Sequence, residues 1–150
     1  MKGKGRGFTL IELMIVMAIM AVLVGMILPR FKGMRDQASV SKAQGEVRAI
    51  KTAIESYYIT NNAYPATSTT VCATYLTLSS TYPRILTSAI YDPFGATSTT
   101  EYRFIKSTSG LYYVIFSIGP DATADITGIG DDGVVAPANR DDDVWTSNAI

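Results

Sequence analysis

Several residue types that commonly carry chemistry are missing or nearly missing from this chain of 150 residues. It has no histidine, which excludes the commonest general base and the commonest transition-metal ligand. The single cysteine, Cys72, cannot form an intramolecular disulfide. No basic residue lies beside it in the sequence to activate the thiol. We therefore predict a buried or half-buried thiol rather than a nucleophile.

The chain also lacks an excess of charge of either sign. Thirteen lysine and arginine residues balance thirteen aspartate and glutamate residues. If the first seven residues were cleaved off, Lys2, Lys4 and Arg6 would be lost with them. Ten basic side chains would then face thirteen acidic ones, which gives three net negative charges before the α-amino group created by cleavage is counted. Because nucleic-acid binding rests on a basic surface, we do not expect the chain to bind nucleic acid.

A long apolar run near the N-terminus is the most distinctive feature that is present. The 21 residues from Phe8 to Leu28 are enough to span a bilayer as a helix, since each helical residue adds about 1.5 Å. Glu12 is the only charged residue in this run. A carboxylate inside a membrane segment costs a few kcal/mol unless it finds a partner, which marks Glu12 as a functional residue.

The order of segments around this run differs from that of a secretory signal. The basic leader, Met1–Gly7, ends in a glycine before the apolar run, and no small-residue cleavage site follows the run. Cleavage between Gly7 and Phe8 would remove the leader, keep the apolar helix and create a new α-amino group. That amine could neutralise the Glu12 carboxylate of a neighbouring subunit.

Residues 7–12 read GFTLIE, which resembles the N-terminal motif of the type IV pilin and type II secretion pseudopilin superfamily. The resemblance implies cleavage after Gly7 by an inner-membrane prepilin peptidase, N-methylation of Phe8, and a role for Glu12 in subunit register during assembly. Pro29 matches a proline near which the helix of this family is often kinked or unwound in filaments, since proline lacks the amide donor. A plain uncleaved anchor is the alternative, and it leaves Glu12 unexplained.

Helical periodicity continues beyond the apolar run, from Arg30 to about Asn61. Apolar residues there recur at spacings of three and four, which predicts one buried stripe and not a cofactor site. The stripe contains Val40, Ala43, Val47, Ile50, Ile54 and Tyr57. The segment before Pro65 ends the helix, because residues that precede proline avoid the α region. The pattern predicts one helix of about fifty residues.

The remaining residues predict a small head domain. Residues 66–100 are rich in Thr, Ser, Ala and Tyr, which indicates a variable loop with short helical or strand pieces. Residues 101–106 alternate as a strand, residues 107–110 form a turn, and residues 111–118, rich in β-branched and aromatic side chains, form the second strand of a hairpin. The predicted fold class is α+β: a long N-terminal helix, transmembrane and then amphipathic, packed on a small antiparallel β-sheet with a C-terminal acidic loop.

These assignments divide the chain into four parts. Residues 1–7 form the leader, 8–29 the transmembrane and filament-core helix, 30–62 the amphipathic half of that helix, and 63–150 the globular head. Within the head, the variable loop is expected at 66–100, the β-hairpin at 101–118 and the acidic loop at 119–150.

The C-terminal segment is crowded with aspartates. After Ser107 there is one basic residue, Arg140, against seven aspartates: Asp121, Asp125, Asp131, Asp132, Asp141, Asp142 and Asp143. Such carboxylates either spread into solvent or are gathered by a hard cation, and calcium tolerates the irregular geometry of a loop. The spacing from Asp121 to Asp125 does not fit an EF-hand. The surrounding Gly, Ala and Thr indicate an exposed loop.

This C-terminal half resembles the major pseudopilins. DPFG at 92–95, SIGPD at 117–121 and DDDVW at 141–145 match that family's aspartate-proline turn, its S-L-G-x-D segment and its late acidic run near a tryptophan. In that family, calcium is held by a backbone carbonyl of the S-L-G segment, by its aspartate and by acids of the later run. The resemblance implies calcium ligands at the Ile118 carbonyl, Asp121 and one or two of Asp141, Asp142 and Asp143.

Two kinds of filament subunit remain open at this stage. Either kind is a single-pass protein of the bacterial inner membrane before it assembles into a helical homopolymer. One is the periplasm-spanning pseudopilus of type II secretion, and the other is a surface type IV pilus for adhesion, twitching motility or DNA uptake. The calcium-like tail favours the first, and the Thr/Ser-rich middle suits the second equally well. Implied partners are further copies of the chain, the prepilin peptidase, the inner-membrane assembly platform and minor pseudopilins.

Two other classes fit the sequence poorly. A hydrolase with paired aspartates needs a cleft that moves the two carboxyl pKa values apart, and no such cleft is indicated, so we do not expect an enzyme. A monomeric calcium-binding domain on a simple anchor leaves Glu12 without a role.

Overall fold

The computed structural model describes residues 7–77, 84–138 and 141–149 of the chain, with only the backbone described for residues 28–32. The backbone groups into two compact units, Met1–Gln37 and Ala38–Ile150. A helix, α1, begins in the first unit and ends in the second, spanning the 52 residues Leu10–Asn61. The predicted helix of about fifty residues is therefore found.

Local side chains define where α1 begins and ends. Thr9 caps its N-terminus, as described below for Glu12. At its C-terminus, Asn62 takes a left-handed conformation with φ of 52°, and its N–H donates to the Tyr58 carbonyl at 2.7 Å. Residues on both sides of Pro29 belong to the same helix. The Pro29 side chain lies outside the described part, and the kink expected near it in filaments stays a prediction.

The first unit exposes its apolar surface. Leu10–Ile27 is an 18-residue stretch with a mean hydropathy of 2.7, and none of it is buried inside the structure. By length and composition it is sufficient to cross a membrane. A continuous apolar surface of this kind requires lipid or other apolar protein surface to cover it.

The second unit has its core between α1 and a β-sheet. The predicted stripe of α1 is buried from Ala43 to Tyr57, and Val40 packs against its edge. The side chains that pack against this stripe come from two neighbouring strands of the sheet and from the residue just before the first of them. They include Tyr102, Phe104, Tyr113 and Ile115. Burial of these side chains joins Val40–Tyr57 of α1 and the sheet in one core. The predicted α+β class is confirmed.

The sheet has three antiparallel strands in the order β1-β2-β5. β1 is Arg103–Lys106, β2 is Tyr113–Ser117 and β5 is Val144–Ser147. Phe104 lies opposite Ile115, which in turn lies opposite Thr146 on β5. β1 and β2 are the predicted hairpin with shorter strands than expected. β5 was not predicted.

A two-stranded hairpin covers the outer face of β2. Its strands are β3 (Gly128–Ile129) and β4 (Val135–Ala136). Val114 and Phe116, which point away from the α1 side of β2, pack in a second cluster with Ile126, Ile129 and Val135. All five residues of β2 are consequently buried. The prediction that residues 119–150 form a loop was wrong in this respect, because this segment contains β3, β4 and β5.

Between α1 and β1 lies a short helix, α2 (Cys72–Thr77), with π-type hydrogen bonding. The Glu101 carboxylate accepts hydrogen bonds from the backbone N–H groups of Cys72, at 2.8 Å, and Ala73, at 3.2 Å. The Cys72 side chain is fully buried, as predicted. Burial raises the pKa of its thiol to about 12, which keeps it protonated and unreactive at neutral pH. Part of the expected variable loop, residues 78–83, lies outside the described residues.

Candidate functional site

The predicted cleavage point lies in an exposed, non-helical stretch before α1. Gly7 and Phe8 precede the first helical residue, Leu10, and a side chain at Gly7 would meet no atom within 4 Å. The Phe8 side chain is 82% exposed. A peptide bond between these residues is therefore accessible to a protease without unwinding the helix.

Glu12 and Thr9 form a capping box at the start of α1. The Thr9 N–H and hydroxyl donate to Glu12 Oε2 at 2.9 and 2.8 Å, and the Glu12 N–H donates to Thr9 Oγ1 at 3.3 Å. The sequence pattern T-x-x-E encodes this arrangement directly. Within a single subunit, the Glu12 carboxylate is thus hydrogen-bonded by its own chain rather than left bare on an apolar helix.

Three aspartates from two distant segments meet in the head. One carboxylate oxygen from each of Asp125, Asp141 and Asp142 can be chosen so that all three lie within 4.8 Å of one another. We call these residues the acidic cluster. Asp141 and Asp142 belong to the predicted set of ligands, whereas Asp125 does not. Asp125 enters the cluster because it lies just before β3 of the β3–β4 hairpin, which packs over β2.

Asp143, beside the cluster, is buried rather than in the exposed loop that was predicted, with only 8% of its surface exposed. Its Oδ2 accepts hydrogen bonds from the N–H groups of Asp125, at 3.0 Å, and Ile126, at 2.9 Å. Asp143 therefore holds the backbone that carries Asp125. Its burial raises the pKa of its carboxyl group, and the two amide hydrogen bonds oppose that rise.

Two buried oxygens at this site have no hydrogen-bond donor within the described ranges. They are Oδ1 of Asp142 and Oδ1 of Asp143. Buried polar atoms are nearly always satisfied, and an unsatisfied one costs about 1–3 kcal/mol. A cation that contacted both oxygens would satisfy them.

The electrostatics of the cluster point the same way. A hydrogen bond with the Asp141 carboxylate, followed by desolvation and by the charges of Asp141, Asp143 and Asp121, raises the pKa of Asp125 to about 6. Such a rise is what closely placed like charges produce. A bound cation would remove the repulsion and allow all of these groups to ionise.

The segment that follows β2 lies against Asp142. The Asp121 N–H donates to Asp142 Oδ2 at 2.9 Å, and the Asp121 carboxylate accepts from the N–H of Thr123 at 2.7 Å. Gly119 has a φ of +69°, and a Cβ there would lie 2.6 Å from the Asp142 carbonyl oxygen. Only glycine fits this close approach. The structure thus brings Ile118–Asp121 beside the late acidic run.

The donor set fits a hard cation. All candidate ligands are carboxylate or backbone oxygens, which suit calcium and disfavour metals that prefer nitrogen or sulfur. Asp141, Asp142 and Asp143 also line an open groove of about 550 Å³ together with Trp145 and the exposed face of α1 around Arg48. Solvent and ions can reach the site through this groove.

Comparison with known proteins places these features in a family. Residues 2–28 match the prokaryotic N-terminal methylation motif, and residues 30–146 match the family described as type II secretion system (T2SS), protein G. The chain belongs to the protein G family of type II secretion systems. As a protein G family member, it carries both the N-terminal methylation motif and the protein G domain in one chain. The resemblance drawn from the GFTLIE motif and the C-terminal pattern is confirmed.

Curated protein G relatives match nearly the whole chain. The type II secretion system core protein G of Klebsiella michiganensis is 32% identical over 143 residues, covering 94% of this chain and 93% of the relative. The proteins of the same name from Aeromonas hydrophila and Vibrio cholerae are 29% and 27% identical, covering 98% and 86% of this chain and 95% and 90% of the relatives. The match therefore extends over the membrane-length helix and the head together.

Proposed function

We propose that this chain is the major pseudopilin, the structural subunit of a type II secretion pseudopilus. The observation that carries the proposal is the match of residues 30–146 to protein G beside a methylation motif at residues 2–28. Relatives that cover almost the full chain are named core protein G of the secretion system. These matches favour the pseudopilus over the surface pilus. The family is one of structural subunits and not a class of enzymes.

Maturation begins with the exposed Gly7–Phe8 bond. A prepilin peptidase removes residues 1–7 and the new N-terminus at Phe8 is methylated. Residues 8–29 then anchor the subunit in the inner membrane, with 30–62 as the amphipathic half of the helix and 63–150 as the head on the periplasmic side. The stretch Leu10–Ile27 supplies the apolar surface that lipid covers before assembly and that other subunits cover afterwards.

Glu12 then sets the register between subunits. In the isolated chain its carboxylate is held by Thr9. In a filament, the α-amino group at Phe8 of a neighbouring copy offers a positive charge that the Thr9 hydroxyl does not. In an apolar filament core, a buried carboxylate is tolerated only when its positively charged partner is in place. A subunit out of register would leave the Glu12 carboxylate without that partner, which is costly. The assembly platform and minor pseudopilins are the further partners of this step.

Calcium completes the head. We assign its binding to the acidic cluster with Asp143 and the Ile118–Asp121 segment, a set that adds Asp125 to the ligands implied by resemblance. When bound, the ion supplies charge neutralisation and joins three segments that are distant in sequence. The support for this is the pair of oxygens on Asp142 and Asp143 that find no donor among the described residues, beside the three carboxylates. A head joined in this way presents a defined surface to neighbouring subunits.

The test is complementation of a type II secretion strain that lacks its own protein G. We expect the chain to start at Phe8 by mass spectrometry, to remain with the cell envelope and to restore release of a secreted enzyme. Glu12→Ala should be processed normally yet fail to assemble or secrete. Asp36→Ala, which removes an acid from the same helix outside the apolar stretch, is the control and should behave as wild type.

Two results would count against the proposal. Abundant mature chain in filaments sheared from the cell surface, without restored secretion, would indicate a surface pilus. An intact Met1 start in every fraction would contradict processing altogether.

A further inference from the structure

A buried carboxylate outside the acidic cluster, Asp92, supports the backbone that leads to it. Asp92 begins the 92–95 turn, and only 5% of its surface is exposed. Within the ranges that the structure describes, it forms no ion pair. Its carboxylate instead accepts three hydrogen bonds. Oδ1 accepts from the Phe94 N–H at 2.9 Å and the Ser117 hydroxyl at 2.7 Å, and Oδ2 accepts from the Ile118 N–H at 3.2 Å.

These bonds hold the chain just before it reaches Asp142. Ser117 is the last residue of β2, and its hydroxyl also accepts from the Gly119 N–H at 3.4 Å. Gly119 then packs against the Asp142 backbone, as described above, and Asp121 bonds to the Asp142 side chain. The Ser117–Asp121 segment is therefore held by Asp92 on one side and by Asp142 on the other.

The local turn by itself does not require a carboxylate. An asparagine accepts the hydrogen bond from residue 94 equally well and forms the same kind of turn. Burying a carboxylate without a counter-charge is costly, so a second hydrogen-bond donor, beyond that of the turn, is needed to favour aspartate at this position. The Ile118 N–H is that donor, because it donates to the second carboxylate oxygen, which asparagine lacks.

We propose that Asp92 is a positioning residue of the calcium site: it does not touch the ion but fixes the Ser117–Gly119 backbone, and so sets where Ile118 and Asp121 meet Asp142. This inference rests on the calcium site proposed above. Residues that orient metal ligands without binding the metal change its affinity by about 10- to 100-fold when substituted.

Asp92→Asn is the sharpest substitution. Its amide has one acceptor oxygen and one NH₂ group. If the oxygen faces Phe94, the NH₂ group meets the Ile118 N–H; if it faces Ile118, the NH₂ group meets the Phe94 N–H. In either orientation two hydrogen-bond donors face each other, while the side chain keeps nearly the same volume as aspartate. We expect the variant to fold and to bind the ion about 10- to 100-fold more weakly.

The assay uses Tb³⁺, a luminescent stand-in for Ca²⁺, on the full-length chain in detergent. Trp145 is the only tryptophan and lines the same groove as Asp141 and Asp142, so energy transfer from it reports an ion at this site. Competition by Ca²⁺ then gives the calcium affinity. Asp142→Asn, which removes a ligand, should abolish the signal.

Glu101→Gln is the matched control. Glu101 is also 5% exposed and also accepts from two backbone N–H groups, but these belong to Cys72 and Ala73 on α2. It should lower the melting temperature without changing the affinity for Tb³⁺ or Ca²⁺. Equal loss of affinity in this variant and in Asp92→Asn would mean general loosening of the head and would overturn the inference.

The remaining outcomes separate the two proposals. Wild-type affinity in Asp92→Asn overturns the positioning role and leaves the calcium site standing. No calcium-competable luminescence in the wild type overturns the calcium site, and the positioning role with it. If circular dichroism shows Asp92→Asn unfolded, Ser117→Ala replaces it, since it removes the hydroxyl that donates to Asp92 and accepts from the Gly119 N–H. A loss of affinity in Ser117→Ala that exceeds the loss in Glu101→Gln supports the inference, and unchanged affinity overturns it.

Discussion

Calcium removal is the perturbation that tests the head most directly. Asp142 Oδ1 and Asp143 Oδ1 are buried without a donor among the residues described. At about 1–3 kcal/mol for each such atom, an ion that contacts both stabilises the head by about 2–6 kcal/mol. Ligand linkage gives a similar range, since calcium at about 100 to 1,000 times its Kd contributes about 2.7–4.1 kcal/mol. For a domain of this size the corresponding fall in Tm is about 10–20 °C.

The assay is thermal unfolding of the full-length chain in detergent, followed by Trp145 fluorescence with calcium, with magnesium and with a chelator. We expect Tm to rise with the logarithm of calcium concentration and to respond far less to magnesium, which demands a more regular octahedral site. Asp125→Asn should abolish the calcium-dependent shift, and because it removes a repelling charge it should not lower the Tm of the ion-free form.

Asp132→Asn is the control for this experiment. Asp132 lies in the same acidic segment but accepts from the Val134 N–H in the β3–β4 turn, a bond that asparagine can keep. It should retain the full shift. A Tm independent of calcium in the wild type, or an equal loss of the shift in both variants, would refute the reasoning.

Three further predictions concern single residues. The Cys72 thiol, with its pKa raised to about 12 by burial, should react with a thiol reagent at neutral pH only after unfolding; reaction at the rate of a free peptide would contradict its burial. Burial raises the pKa of the Glu101 carboxyl group, so the folded state binds its proton more tightly than the unfolded state does. In urea unfolding, the free energy of unfolding should therefore fall as pH rises from about 4.5 upward. This fall should be smaller in Glu101→Gln, which has no proton to lose at this position. Gly119→Ala combines a φ of +69° with a contact to Asp142, so we expect a loss of at least about 1–2 kcal/mol in the same measurement and weakened calcium binding; unchanged values would contradict the close approach.

Features that depend on neighbouring residues were predicted well. The apolar stretch near the N-terminus follows from a continuous apolar run, and the buried stripe of α1 follows from spacings of three and four residues. The capping box at Thr9 and Glu12 was not predicted, although its T-x-x-E spacing is equally local. The β1–β2 hairpin follows from an alternating run, a short turn and a run rich in β-branched and aromatic residues. The GFTLIE motif is likewise local, which is why the family could be inferred before any contact was known.

Features that depend on distant pairing were missed. β5 has only four residues and follows three aspartates, so its alternation is too short to indicate a strand. It forms because Thr146 and Trp145 lie opposite Ile115 and Phe116. The β3–β4 hairpin forms because Ile126, Ile129 and Val135 bury the outer face of β2. Neither partner is visible in a window of a few residues.

The division between sequence and tertiary structure is clearest among the seven aspartates. Composition alone showed that they crowd the C-terminal segment and that oxygen ligands suit a hard cation. Packing decided which of them meet, since the β3–β4 hairpin folds over Phe116 and carries Asp125 to Asp141 and Asp142. The packed fold also buries Asp143, whose carboxylate accepts a hydrogen bond from the Asp125 N–H and so fixes the backbone at Asp125. A helix or a short N-terminal motif is encoded by residues close together along the chain, whereas a cluster of carboxylates from distant segments exists only after the apolar surfaces between them have packed.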